Sequence, residues 1–197
     1  LDVLLWVVGQ TGDWYGQDHR AWAIAVEGGH QWTKAPGRPW VRGGVGYASG
    51  DDRATDDRHG TFFQVLPTGR RFSQSVTYSL MNLRDTFVQA WLRPGSRLVL
   101  RGDLHFVALA SAADLWYAGS GATQASGTAF GYAGRPSKAA TALGTVVEGS
   151  ADYTVNRRWS INGYAGFMKG GDVVRRTFAG DRLAFVYVES LVQLAGR

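Results

Sequence analysis

The sequence contains no cysteine and only five prolines in 197 residues. Without cysteine there is no disulfide scaffold and no thiolate metal site, and the chain tolerates an oxidising envelope without cross-links. No apolar run approaches the roughly 20 residues that a membrane-spanning helix needs. Phosphate-cradling motifs are absent, both Gly-x-x-x-x-Gly-Lys-Ser/Thr and Gly-x-Gly-x-x-Gly. So is the Gly-x-Ser-x-Gly elbow that presents a nucleophilic serine. The four histidines, His19, His30, His59 and His105, are scattered, with no two at metal-ligand spacing. The acidic stretch Asp51-Asp52 with Asp56-Asp57 lacks the glycine register and bidentate acid of an EF-hand, and reads as a solvated loop, with a divalent-ion site as the alternative. Together these absences predict a protein that is not an enzyme and carries no cofactor or metal. The net charge of +5 is spread singly along the chain rather than gathered on one stripe, so a nucleic-acid partner is not expected.

What the chain has in excess is glycine and aromatics: 27 Gly, 8 Trp, 8 Tyr and 9 Phe. Many short strands with that composition are typical of barrels and sandwiches. Period-two alternation, the mark of a strand with two unlike faces, recurs along the sequence. In 97–110, Leu98, Leu100, Leu104, Phe106 and Ala108 alternate with Arg97, Arg101, Asp103 and His105. In 19–32, Trp22, Ile24, Val26 and Trp32 oppose Glu27 and Gln31. Stretches 143–155 and 158–169 repeat the pattern, and 2–10, 38–49, 84–93 and 183–194 are further candidates. That predicts eight strands, each close to the 9–11 residues that cross a bilayer at a tilt.

Connections alternate in length. Short links at 33–37, 94–96 and 156–157 separate longer ones at 11–18, 50–83, 111–142 and 170–182. Tight turns on one rim and long loops on the other are how outer-membrane barrels are built. Aromatics near strand ends (Trp32, Trp40, Trp91, Trp116, Tyr117, Tyr153, Trp159) suit interfacial girdles. The expected fold is therefore all-β: an antiparallel transmembrane β-barrel in the bacterial outer membrane, in contact with its lipid. The alternative of another class is a soluble carbohydrate-binding β-sandwich with one wet face.

Several segments, in order, resemble the alginate-export outer-membrane family. They are Tyr47-Ala48-Ser49-Gly50-Asp51-Asp52, Gly60-Thr61-Phe62, Leu66-Pro67-Thr68, Asn82-Leu83-Arg84-Asp85 and Leu92-Arg93-Pro94. Asp114-Leu115-Trp116-Tyr117, Glu148 with Asp152, Gly163-Tyr164 with Phe167 and Gly170, and Tyr187-Val188-Glu189 continue the series. The resemblance implies a monomeric barrel of about twice this strand count, with residues 1–197 as one domain from its C-terminal part. The opening Leu1-Asp2-Val3-Leu4-Leu5-Trp6, already inside an apolar stretch, agrees with a segment of a longer chain. The ending Leu194-Ala195-Gly196-Arg197 departs from the aromatic terminus usual in barrels.

The function this implies is passage of an anionic polysaccharide, an alginate-like polyuronate, outward through an arginine-lined lumen. A porin or uptake channel for small anionic solutes is the alternative within transport. Guanidinium forks replace water around carboxylates, and binding must stay weak for a polymer to leave. Alternation places Arg97 and Arg101 on the polar face, with Asp103 beside them. Arg42 sits in a glycine-blurred strand, Arg84 opens another, and Arg70 and Arg71 lie in the long 50–83 loop. Glu148 and Asp152 share the polar face of their strand. The same groups also suit a ladder of ion pairs with Glu27, Asp103, Glu148, Asp152 and Glu189, because inward charges need partners.

Overall fold

The computed structural model describes residues 1–53, 55–64, 78–117 and 134–194. Arg70 and Arg71 lie outside them. The elements are β1 (Asp2–Trp14), β2 (Gln17–Gln31), β3 (Trp40–Ala48), β4 (Arg58–His59), β5 (Leu83–Leu92), β6 (Leu98–Ala108), β7 (Leu115–Trp116) and β8 (Arg135–Pro136). They continue with β9 (Ala142–Asn156), β10 (Trp159–Gly170), the short helix α1 (Asp172–Thr177) and β11 (Arg182–Val192). Eight long strands occupy all eight alternating stretches. They form one antiparallel sheet in the order β1-β2-β3-β5-β6-β9-β10-β11, and β4 pairs in parallel with β2. β7 and β8 form a separate two-stranded ladder.

The sheet is open. A barrel closes only when its first and last strands share a hydrogen-bond ladder. Here β1 pairs with β2 alone and β11 with β10 alone, so among the described residues both remain edges. The expected closed transmembrane barrel is corrected to an open antiparallel sheet. Its corollaries rested on that closure and fall with it: the monomeric barrel, the outer-membrane location, the lipid partner and the enclosed lumen. No helix among the described residues is long and apolar enough to cross a membrane, which says nothing of strands.

One connection is also shorter than expected. Residues 11–18 are not a long loop, because β1 and β2 stay paired down to Trp14 and Gln17. Tyr15 and Gly16 close the hairpin, both at positive φ (50° and 88°), the conformation of a two-residue turn that matches strand twist.

The two faces of the sheet differ. On the covered face, the ends of the strands nearest the long connections carry the core. It includes Ala21, Ala23 and Ala48, then Leu83, Val107, Val146 and Met168, with Trp6 and Val8 of β1 packed against it. The connecting segments supply Phe62, Leu80, Leu109 and Trp116, the start of β9 supplies Leu143, and α1 supplies Val173 and Val174. The helix is brief, yet two apolar residues on one side and the Arg175–Asp172 pair on the other suffice to seat it. The opposite face carries apolar side chains largely uncovered, among them Val3, Leu5, Val7, Val45, Val88, Phe106, Val186 and Val188.

Two residues from the resemblance hold the connections together. Asn82, fully buried at φ 48°, donates from Nδ2 to the carbonyls of Ser111 (3.0 Å) and Leu115 (2.9 Å). Its Oδ1 accepts from the Ser111 amide at 2.7 Å. Asp114 accepts from the Asp51 amide (2.9 Å), Thr61 Oγ1 (2.5 Å), the Leu115 amide (2.7 Å) and the Tyr117 hydroxyl (2.7 Å). Burial pushes the Asp114 carboxyl up from its ordinary range, against the pull of those four donors.

Candidate saccharide-binding face

The half of the covered face away from the core is polar, and strand register assembles it. Direct cross-strand neighbours share a face. One row runs Asp2, Gly29, Arg42, Gln89, Asp103 and Glu148 across six strands. Beside it lie Trp40, Trp91, Arg101 and Ser150 on one side, and Glu27, Gly44, Phe87 and His105 on the other.

Two units repeat within this strip. In the first, Arg42 Nη2 lies 3.1 Å from Glu27 Oε2 and its Nε 3.6 Å from Asp2 Oδ1. The guanidinium rests 5.5 Å from the Trp40 ring, and Trp40 Nε1 donates to Asp2 Oδ2 at 2.7 Å. In the second, Arg101 Nε donates to Asp103 Oδ2 at 2.7 Å, with its guanidinium 6.0 Å from the Trp91 ring. Gln89 Nε2 donates to the other Asp103 oxygen at 2.6 Å. The two indoles meet edge to face at 5.4 Å and join the units.

Glycine makes the room. A Cβ at Gly29 would lie 2.9 Å from both Asp2 Oδ2 and Trp40 Nε1. One at Gly44 would meet the Val26 carbonyl at 2.7 Å and Glu27 Cγ at 2.8 Å. The glycines that blurred the alternation of β3 therefore let Arg42 and Glu27 meet across the sheet.

Deeper in the strip, His105 Nδ1 faces Asp85 Oδ2 at 2.9 Å, with both residues buried and Phe87 stacked on the imidazole at 5.5 Å. Burial alone would push this imidazole down. The Asp85 hydrogen bond and the charges of Asp85, Asp103 and Glu148 outweigh it and raise the pKa above the ordinary histidine value.

The candidate residues read from the sequence separate on this map. Arg42, Arg101, Asp103 and Glu148 come together on the strip. Asp152 is on the same face toward the edge and accepts from Asn162 Nδ2 at 2.6 Å. Arg97 is exposed just ahead of β6. Arg84 is on the opposite, uncovered face and donates from Nε to the Leu109 carbonyl at 3.2 Å.

An arginine-lined surface is not what results. Asp2, Glu27, Asp85, Asp103 and Glu148 share the strip with Arg42, Arg101 and His105, so carboxylates outnumber cations. The aromatics also depart from the girdle expectation. Trp40 and Trp91 point into the strip, and Trp116 and Tyr117 are buried in the core, while Trp32, Tyr153 and Trp159 are exposed.

Sequence spacing missed one cluster altogether. His19 and His59, forty residues apart, meet with Nδ1 atoms 2.8 Å from each other, because β4 lies along β2. Trp14 stacks on His59 at 4.8 Å and Phe63 packs on His19 at 5.3 Å. Only the pairing of Asp18 with Arg58 and of His19 with His59 reveals this, and no local pattern signals it. No group of three or more His, Cys, Asp or Glu among the described residues could hold a metal ion.

The family model described as alginate export matches residues 4–183, from the first strand into the last. The chain belongs to the alginate export family. A search of curated proteins finds no match to it. Export moves a polymer without changing its bonds, so membership assigns the chain a non-enzymatic role. Three residues of the segments that carry the resemblance, Asn82, Asp85 and Asp114, are buried in hydrogen-bonded contacts. Among the described residues the sheet keeps two free edges, so the expected closed barrel wall is not formed by them.

Proposed function

We propose that the chain is a non-catalytic carbohydrate-associating sheet module of the alginate export family, which holds a saccharide against the polar strip. The observation that carries this reading is the repeated unit of indole, guanidinium and carboxylate at Trp40–Arg42–Asp2/Glu27 and Trp91–Arg101–Asp103. A sugar ring offers an apolar C–H face and a rim of hydroxyls. Indoles cover the first with a large, rigid area, and fixed donors and acceptors match the second. Because the arginines are already paired, the strip favours hydroxyls over bare anionic charge. Arg42, Arg101, Asp103 and Glu148 are the proposed contact residues, with Asp152 and Arg97 extending the track toward the short turns.

Calorimetric titration of the full-length chain with neutral and uronic-acid hexasaccharides tests this. Trp91→Ala is expected to weaken binding of both at least tenfold, and Trp91→Phe to recover part of it. Unchanged affinity in Trp91→Ala and Trp40→Ala would overturn the assignment.

A further inference from the structure

We propose that the chain binds the alkyl tail of a fatty carboxylate in an apolar cavity between β10, β11, α1 and Trp116 of β7. The cavity measures about 400 Å³, more than twice the roughly 150 Å³ that takes up benzene in an engineered core. This site goes beyond the saccharide reading and shares no residue with it. The polar row runs over β1, β2, β3, β5, β6 and β9, and none of those strands lines the cavity.

Local sequence makes the space. β10 ends on Gly170, β11 begins at Arg182, and α1 between them packs on β9 and β10. A Cβ at Gly170 would lie 2.6 Å from Val174 Cβ, so glycine there lets the helix come this close. The Gly170 amide donates to the Asp181 carbonyl at 2.6 Å, and the Gly171 amide to the Leu143 carbonyl at 2.7 Å. Arg175 Nη1 donates to the Gly170 carbonyl at 3.1 Å. Walls held in this way keep their shape before a ligand arrives, which lowers the ordering cost of binding.

The lining is apolar from floor to rim. Trp116, Met168 and Val174 are buried, whereas Phe178 and Leu183 are 44% and 46% exposed, and Gly180 leaves open space beside them. An alkyl chain laid against these side chains removes apolar surface from water on both partners. Met168 contributes an unbranched thioether, which adapts to the bends of such a chain.

Charge around the opening selects the end group. Asp181 lines the cavity, but Lys169 Nζ lies 2.6 Å from its carboxylate, and Arg175 Nη2 holds Asp172 at 2.6 Å. Arg176 Nη1 donates to the Lys138 carbonyl at 2.9 Å. Arg135 and Arg182 form no ion pair among the described residues, although Arg182 adds to the positive field on Asp181. Lys169, Arg135, Arg175, Arg176 and Arg182 thus outnumber Asp172 and Asp181 at this end of the sheet. The Arg135 guanidinium lies over two rings of the lining, 5.9 Å from Trp116 and 5.3 Å from Phe178. Resting on ring faces, it keeps its N–H edge free for a carboxylate, which that edge fits as a fork.

The test uses the full-length chain labelled at its methionine methyl groups. There are only two methionines, and Met81 lies in a separate cluster with Tyr117, so its resonance serves as an internal control. Titration with hexanoate, octanoate and decanoate, each below its micelle-forming concentration, is expected to shift the Met168 methyl and leave that of Met81 in place. Affinity is expected to rise about fourfold for each added methylene until the cavity is full. Arg135→Gln is expected to weaken decanoate at least fivefold and decanol less than twofold. Gly180→Leu, whose side chain enters open space, is expected to weaken both at least fivefold while Met81 keeps its native shift, the sign of an intact fold. Flat affinity along the series, a Met81 shift as large as that of Met168, or native binding in Gly180→Leu would overturn the site. Equal losses of decanoate and decanol in Arg135→Gln would overturn the carboxylate.

Discussion

His19 and His59 face each other through their Nδ1 atoms at 2.8 Å, inside a sleeve of Trp14 and Phe63. One Nδ1 must donate and the other accept, so the pair can exist only while at least one ring is neutral. Burial lowers both pKa values, that of His59 to about 4, with the neighbouring His19 charge as its second cause. For His19 the His59 carbonyl and Asp18 pull the other way without winning. Between pH 6.5 and about 4, an unfolded chain binds protons that the folded pair refuses, so stability falls as pH drops through that window. The expected loss is about 1–2 kcal/mol, discounted for solvent screening. Urea unfolding from pH 7 to 4 measures it, and His59→Gln is expected to flatten the curve. An equally steep curve in the variant would remove the pair as its source.

His105 works in the opposite direction. Its raised pKa means that the folded state holds a proton more tightly than the unfolded chain. That contribution is complete below pH 6.5 and is lost as pH rises through the folded value. Asp85→Asn removes the nearest charge and the charge-assisted hydrogen bond, so burial takes over and the His105 pKa falls below the ordinary histidine value. An imidazole NMR titration reads this directly. A pKa that stays high in Asp85→Asn would transfer the role to Asp103 and Glu148.

Asn82 makes three hydrogen bonds from a fully buried, positive-φ position. Asn82→Ala leaves two carbonyls and one amide without these partners and places a strained alanine at φ 48°. The expected cost is about 2–4 kcal/mol by chemical denaturation, with loss of protection at the Ser111 amide. A change below 0.5 kcal/mol, roughly what an ordinary surface substitution gives, would show that Asn82 is not the clasp of these connections.

The uncovered face presents Val3, Leu5 and Val7 on β1 and Val186 and Val188 on β11, each more than 60% exposed. Contiguous apolar surface of this kind seeks a cover, and the two edges add unpaired backbone groups. In detergent-free buffer the chain is expected to associate with rising concentration, and a Val7→Glu, Val186→Glu double variant to associate less. Sedimentation velocity distinguishes the outcomes. A native chain that stays monomeric at high concentration would show that these residues drive no association.

Period-two alternation in the sequence was enough to place all eight long strands and to assign Arg101, Asp103, His105 and Glu148 to one face. It succeeds because a strand's side-chain period is set by local backbone geometry. The motifs were legible too, but as architecture: Asn82 and Asp114 prove to be clasps of the connections. Closure was not legible. Alternation says that a strand has two unlike faces and is silent on whether the first strand meets the last, since that depends on pairing between distant segments. The tertiary structure alone decided that β1 and β11 stay apart, that Trp40 and Trp91 turn inward, and that each arginine of the strip has its own carboxylate. It alone brought His19 to His59 across forty residues. Register between strands is a long-range property, so it fixes which charges neutralise each other, and local sequence carries no record of that choice.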